Sequence, residues 1–134
     1  YDQRIRGVAT SGRHGRSLSM GIADSVTVLA ACAAQADAAA TLIANAVDLP
    51  SHPQIFRCAA NLIDPDSDLG QRSVVTGYKK LLGSDITKAL NRGMRCAHTM
   101  QKHNDVAGAA LFLSDDIRLL GNSFTRPRRN LVDA

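Results

Sequence analysis

Five polar residues interrupt an alanine-rich segment between positions 33 and 48, and four of them are regularly spaced. Asp37, Thr41 and Asn45 recur at every fourth position and Asp48 follows them, so a helix would place all four along one face. A carboxylate and a hydroxyl one turn apart are hard oxygen ligands of the type that Mg²⁺ prefers, and Mg²⁺ usually adds waters and substrate phosphates. The spacing of Asp37 and Thr41 is therefore compatible with a metal site.

The same stripe has a simpler interpretation that involves no ligand. Asp37 would lie in the first turn of the helix, where the helix dipole favours a carboxylate. The Thr41 hydroxyl would donate a hydrogen bond to a carbonyl of the preceding turn. Spacing alone favours this interpretation over a metal site.

A second segment that could do chemistry runs from Ser11 to Ser17 and combines two glycines with two arginines. Glycine lets backbone amides converge on an anion, and arginine pairs with phosphate oxygens in a bidentate manner. A pyrophosphate contact at Gly12, Arg13 and Arg16 is therefore chemically reasonable. The segment lacks the G-x-x-x-x-G-K-S/T spacing of the phosphate-binding loop. A basic surface turn is the alternative, because glycine clusters are common in turns.

Other candidate sites fail on spacing. Alternating carboxylates at positions 64 to 68 begin like a calcium loop, but Leu69 and Val75 occupy the places of the required glycine and glutamate. The four histidines lack the H-x-x-x-H spacing and the neighbouring cysteines of a zinc site. The acidic segment is therefore interpreted as a turn.

Three further segments follow one another in an order that is typical of a known family. They are Gly7-Val8-Ala9-Thr10-Ser11-Gly12, Gly21-Ile22-Ala23-Asp24-Ser25-Val26-Thr27-Val28-Leu29-Ala30 and Ala36-Asp37-Ala38-Ala39-Ala40-Thr41. From about position 6 to about position 113 the chain resembles the C-terminal half of the ApbE superfamily of flavin transferases, and most closely an uncharacterised branch of it. These enzymes move FMN from FAD onto a protein threonine. The resemblance implies a nucleotide-side role for Thr10, Ser11 and Gly12, and a metal-ligand role for Asp37 and Thr41.

The chain differs from those transferases at two places. Their His-x-x-Asp-Pro-x-x-Gly segment is replaced at positions 17 to 25 by residues without histidine or an Asp-Pro turn. The N-terminal half of the family fold lies outside this sequence. The resemblance thus implies binding of a flavin (FAD or FMN) or a related nucleotide diphosphate together with Mg²⁺, and not transfer by this chain alone. A non-catalytic structural or assembly subunit and a fragment of a cleaved precursor are the alternatives.

Composition restricts the class of protein. A chain of 134 residues, 45% of them hydrophobic, is expected to form one globular domain. Its net charge of +4 is spread along the sequence and only 4% of its residues are aromatic, so nucleic acid is not the expected partner. Three cysteines without C-x-x-C spacing indicate reduced thiols in the cytoplasm. No apolar run reaches transmembrane length.

The order of elements predicts an α+β fold. Strands are expected at 5–11, 20–31, 73–78 and 106–113, and a strand or extended segment at 54–63. One helix is expected over 33–48, and a second that begins after an N-cap at Ser84 and ends before Asn104. Two helices packed on a mixed or antiparallel sheet suit this order better than a doubly wound fold. We expect residues 1–114 to form the domain and residues 115–134 to form a flexible basic tail. Without an N-terminal half, the sheet would have an open apolar edge, so a homo-oligomer or a partner that supplies this half is expected.

Overall fold

A computed structural model describes residues 5–13 and 18–121. The elements follow the chain as β1 (Gly7–Ser11), β2 (Ser25–Ala30), α1 (Ala33–Ala46), β3 (Ile55–Ala59), α2 (Ala60–Ile63), β4 (Ser73–Tyr78), α3 (Gly83–Lys102), β5 (Gly108–Leu113) and β6 (Asp116–Leu120). The fold is α+β, as the sequence predicts. No helix in these two ranges is long and apolar enough to cross a membrane.

The strands form two antiparallel sheets. The larger has the order β1-β2-β5-β6, and β3 pairs with β4 in a separate two-stranded sheet. In β2, Val26, Val28 and Ala30 are fully buried and belong to the hydrophobic core, whereas the residues between them are partly exposed. This alternation is typical of a sheet that is covered on one face. The cover consists of α1, which packs on β1 and β2, and α3, which packs on β5 and β6.

Small residues let α1 lie close to the sheet. Its buried face consists of four alanines and Ile43. At Gly7, a Cβ atom would overlap the backbone of Cys32 and Ala33, so a side chain there would push the helix away from β1. Gly93 of α3 likewise lies against the side chains of Val47 and Leu111. The alanines and glycines therefore set the distance between the helices and the sheet.

The sheet extends further than the sequence indicates. After β5 the chain turns at Ser114, whose φ of 56° is left-handed, and returns as β6. The two aspartates at positions 115 and 116 made this region look like the start of a polar tail, although Ile117 and Leu119 alternate with polar neighbours as in a strand. The part of the expected tail from position 122 onward lies outside the described residues.

Two other boundaries differ from the expected ones. The segment predicted as a strand or extended segment over 54–63 divides into β3 and the short helix α2. The helix α3 begins at Gly83 with Leu82 at the N-cap position, so Ser84 is not the cap. Instead the carboxylate of Asp85 accepts a hydrogen bond from the backbone N–H of Leu82 at 3.4 Å. An acid in the first turn thus bonds back to the N-cap residue, whose own side chain forms no capping hydrogen bond.

Candidate functional site

The polar stripe of α1 divides into an exposed half and a structural half. Asp37 and Thr41 are exposed, and Thr41 Oγ1 donates to the backbone carbonyl of Asp37 at 3.2 Å. This bond agrees with the simpler interpretation of the stripe. Asp37 lies beyond the first turn, because the helix begins at Ala33. In the described part of the chain, no group of three or more His, Cys, Asp or Glu side chains could hold a metal ion.

The other two residues of the stripe, Asn45 and Asp48, form hydrogen bonds to neighbouring segments. Asn45 Oδ1 accepts a hydrogen bond from the backbone N–H of Met20 at 3.2 Å. Asp48 Oδ1 lies 2.6 Å from Nη2 of Arg57, and Arg57 also donates to the carbonyls of Met20 and Leu49. These bonds join the end of α1 to β3 and to the segment before β2.

The Thr-Ser-Gly segment at the end of β1 is bonded to β2. The hydroxyl oxygens of Thr10 and Thr27 are 2.9 Å apart on adjacent strands. Gly12 has a φ of 137°, and a Cβ there would lie 2.6 Å from the carbonyl oxygen of Asp24. The glycine is thus required by the backbone itself. Ser11 ends β1, and Arg16 lies outside the described residues.

Arg13 is already engaged by other side chains. Its Nη1 atom lies 3.4 Å from Oδ1 of Asp24, and its guanidinium lies over the ring of Tyr78, 4.9 Å from the centroid. Asp24 Oδ2 accepts a hydrogen bond from the backbone N–H of Ser114 at 2.8 Å. Burial raises the pKa of Tyr78, and the negative charge of Asp24 and a hydrogen bond to it raise this pKa further. We call Arg13, Asp24 and Tyr78 the Arg13 cluster; it joins the loop after β1, the residue before β2 and the end of β4.

A groove of about 720 Å³ lies between the turn at 49–53 and the first half of α3. Lys88, Arg92 and Arg95 line it from one face of the helix, where all three are exposed. None of them forms an ion pair with another described residue. The opposite wall carries Leu49 and two prolines, so the groove has a cationic side and an apolar side.

His52 and Asp85 join the two walls of the groove. His52 Nε2 lies 3.1 Å from Asp85 Oδ2, and His52 Nδ1 accepts the backbone N–H of Gln54 at 3.1 Å. Because Nδ1 is an acceptor, the proton of the neutral ring is on Nε2 and points at the carboxylate. Both ring nitrogens are therefore occupied. Ser51 and Ser84 also line the groove but have no free imidazole nitrogen of His52 to act as their base.

The three cysteines are free thiols. Cys32 is exposed, whereas Cys58 and Cys96 are half-buried. Burial raises the pKa of the Cys96 thiol, which keeps it protonated and weakly nucleophilic.

The groove beside α3 was not predicted from the sequence. Local spacing gave Lys88, Arg92 and His52 no role in a site. The pair that closes the groove, His52 and Asp85, is separated by 33 positions, so local spacing could not reveal it. The available signal was the run of cations at helical spacing without intervening acids.

A family model described as AbpE bacteria matches residues 1–119. The chain belongs to the AbpE bacteria family. This is a different family from the ApbE-like flavin transferases, so the resemblance inferred from the sequence is wrong. The expectations of flavin, FMN, magnesium and transferase chemistry that depended on it are withdrawn. No curated protein and no solved structure matches this AbpE bacteria chain.

The inferred resemblance was wrong because its motifs consist mainly of small residues that have structural roles. In this AbpE bacteria protein, Gly7 allows close approach of α1, Gly12 meets a backbone requirement, and alanines pack the helix on the sheet. Glycine and alanine are needed for such purposes in many unrelated folds. Ligand binding by the candidate residues of the sequence analysis stays a prediction. These residues are Thr10, Ser11, Gly12, Arg13, Arg16, Asp37 and Thr41.

Proposed function

We propose that this chain is a binding domain for a small phosphate-bearing ligand of the nucleotide diphosphate class, which it holds in the groove beside α3. The observation that carries the proposal is the set of Lys88, Arg92 and Arg95, three exposed cations that line one cavity without a described ion-pair partner. The acid among the groove's described lining residues, Asp85, is bonded to His52.

The dimensions of the groove suit such a ligand. Its volume of about 720 Å³ lies within the range of small-molecule pockets. Arg95 lies seven positions after Lys88 in the helix, which corresponds to about 10 Å along the axis, enough for two linked phosphates. Each charge-assisted hydrogen bond to a phosphate oxygen contributes about 1.5 to 3 kcal/mol. Leu49 and Pro53 would contact the uncharged part of the ligand.

The proposal is one of binding rather than catalysis. A general base needs a free lone pair within reach of the proton that it removes. His52 donates to Asp85 through one nitrogen and accepts from Gln54 at the other. We place the protein in the cytoplasm, because an exposed thiol such as Cys32 is suited to a reducing compartment.

Isothermal titration calorimetry with ADP, inorganic pyrophosphate and adenosine tests this proposal. We expect saturable binding of ADP and pyrophosphate and at least tenfold weaker binding of adenosine. Arg92→Gln removes a charge in the groove and should weaken ADP binding about tenfold or more. Lys102→Gln is the matched control, because it removes one positive charge from the same helix outside the groove. Absence of saturable ADP and pyrophosphate binding, or equal losses in the two variants, would contradict the proposal.

A structural or assembly subunit is the second candidate function. One observation favours it: the face of the four-stranded sheet opposite the helices exposes apolar side chains, among them Val8 and Ile117. The two functions are compatible, since this face and the groove lie on opposite sides of the helix layer.

A further inference from the structure

One face of the four-stranded sheet is apolar and open in the described part of the chain. In β2 the buried valines face α1, so Leu29 points to the other side. The antiparallel register places Val8 beside Leu29 and pairs Phe112 with Ile117 on this same side. We define the outer face by six residues: Val8, Thr10, Leu29, Phe112, Ile117 and Leu119.

Three apolar side chains of the outer face are largely exposed among the described residues. Val8 is 62% exposed, Ile117 51% and Leu119 43%. Both long helices pack against the opposite side of the sheet. Contiguous exposed apolar patches are uncommon on monomers and usually mark a contact surface. The outer face is therefore a candidate contact surface.

Charge restricts the kind of partner. All six residues of the outer face are uncharged, although the whole chain carries a net charge of +4. The six residues themselves offer no charge for a partner to recognise. The hydroxyls of Thr10 and Thr27 are bonded to each other, which lowers the cost of burying them. An identical outer face offers the same uncharged surface.

Geometry also favours a second copy. Twisted sheets of the same hand pack face to face about 10 Å apart with their strands within about 30° of each other. In such a pair the exposed cations of α3 would lie on the two outer surfaces, so like charges stay far apart. Four strands span only about 15 to 20 Å, so the interface is small and its dissociation constant should be in the micromolar range.

We infer that the outer face is the interface of a homodimer, in which two four-stranded sheets stack around a twofold axis. The inference is independent of the proposed ligand. It places the partner on a sheet face, whereas the sequence suggests an open sheet edge.

Sedimentation velocity from about 1 to 200 µM tests the inference on the full chain. We expect the wild-type protein to shift from monomer to dimer across this range. Ile117→Lys and Leu119→Lys each bury a charge in the interface and should keep the protein monomeric throughout. Leu62→Lys is the matched control, since Leu62 is a 76% exposed leucine on α2, away from the outer face. It should dimerise like the wild type.

Far-UV circular dichroism of each variant verifies that the fold is intact, which is expected because the substituted side chains are exposed. A wild-type protein that stays monomeric at 200 µM would overturn the inference and indicate a different partner or another segment of the same chain. Dimers that persist in both outer-face variants would also overturn it.

Discussion

Tyr78 shows how strongly one side chain depends on its surroundings. Its ring packs against the core and beneath the guanidinium of Arg13, while its hydroxyl is bonded to Asp24. Burial and the Asp24 charge both disfavour the phenolate, and Arg13 opposes them only in part, so the pKa of Tyr78 lies above its ordinary value of 10.0. At neutral pH the phenol is therefore a stable donor within the Arg13 cluster.

This raised pKa makes stability depend on pH in the alkaline range. Above pH 10 the unfolded chain has lost the phenol proton that the folded chain keeps, so the unfolded state binds fewer protons. The free energy of unfolding should then fall as the pH rises from 10 through the folded pKa. Urea denaturation at several pH values measures this slope, which should be smaller in Tyr78→Phe. Asp24→Asn should lower the pKa of Tyr78 in an absorbance titration at 295 nm. An unchanged titration would show that Asp24 does not act on Tyr78.

The Arg13 cluster also bears on the sequence hypothesis for the β1 loop. Arg13 was selected as a phosphate ligand from its glycine neighbours, yet its charge is offset by Asp24 at 3.4 Å. The partner lies 11 positions away and was visible in the sequence only as an ordinary aspartate before a strand. Spacing identifies residues that could meet a ligand, but it does not show which of them another side chain already occupies.

Helices and strands with a regular local pattern could be predicted from the sequence, whereas contacts between distant segments could not. The helices α1 and α3 follow from alanine content and from an apolar stripe, which depend on neighbours within four residues. The expected strand at 20–31 begins only at Ser25, because residues before it bond to the end of α1 and to β5 instead. The strand β6 was missed because two aspartates precede its alternating residues. The groove depends on a turn and a helix that meet only in the folded chain.

Asp85 connects the two walls of the groove. Substitutions of Asp85 can therefore separate its effect on stability from its effect on ligand binding. Its carboxylate accepts from Leu82 at the start of α3 and from His52 in the turn. Asp85→Ala should lower the free energy of unfolding by about 1 to 2 kcal/mol, because both bonds are lost. Asp85→Asn keeps an acceptor oxygen and should cost less.

Both substitutions remove a negative charge from the groove that Lys88 also lines, so both should bind ADP more tightly than the wild type. Urea denaturation and calorimetry measure the two quantities separately. If Asp85→Asn binds ADP more weakly than the wild type, the carboxylate contributes to the ligand site directly and the groove has been assigned incorrectly.

For the whole molecule, the groove and the outer face use different physical forces. The helix layer separates them: α3 presents its cations away from the sheet, and the sheet presents uncharged side chains away from the helices. Ligand binding is therefore expected to be electrostatic, and dimerisation to be hydrophobic. Two sites of this kind should respond oppositely to the same change of solvent.

A change of ionic strength should distinguish ligand binding from dimerisation. Raising NaCl from about 0.05 to about 0.5 M shortens the screening length from about 14 to about 4 Å, so ADP binding should weaken about tenfold. The dimer should be unaffected or slightly stabilised, because burial of apolar surface does not depend on charge screening. Calorimetry and sedimentation on the same samples measure both responses, and Ile117→Lys monomers should bind ADP as tightly as the wild type. A dimer that dissociates in salt would instead be held by ion pairs, which the uncharged outer face does not contain.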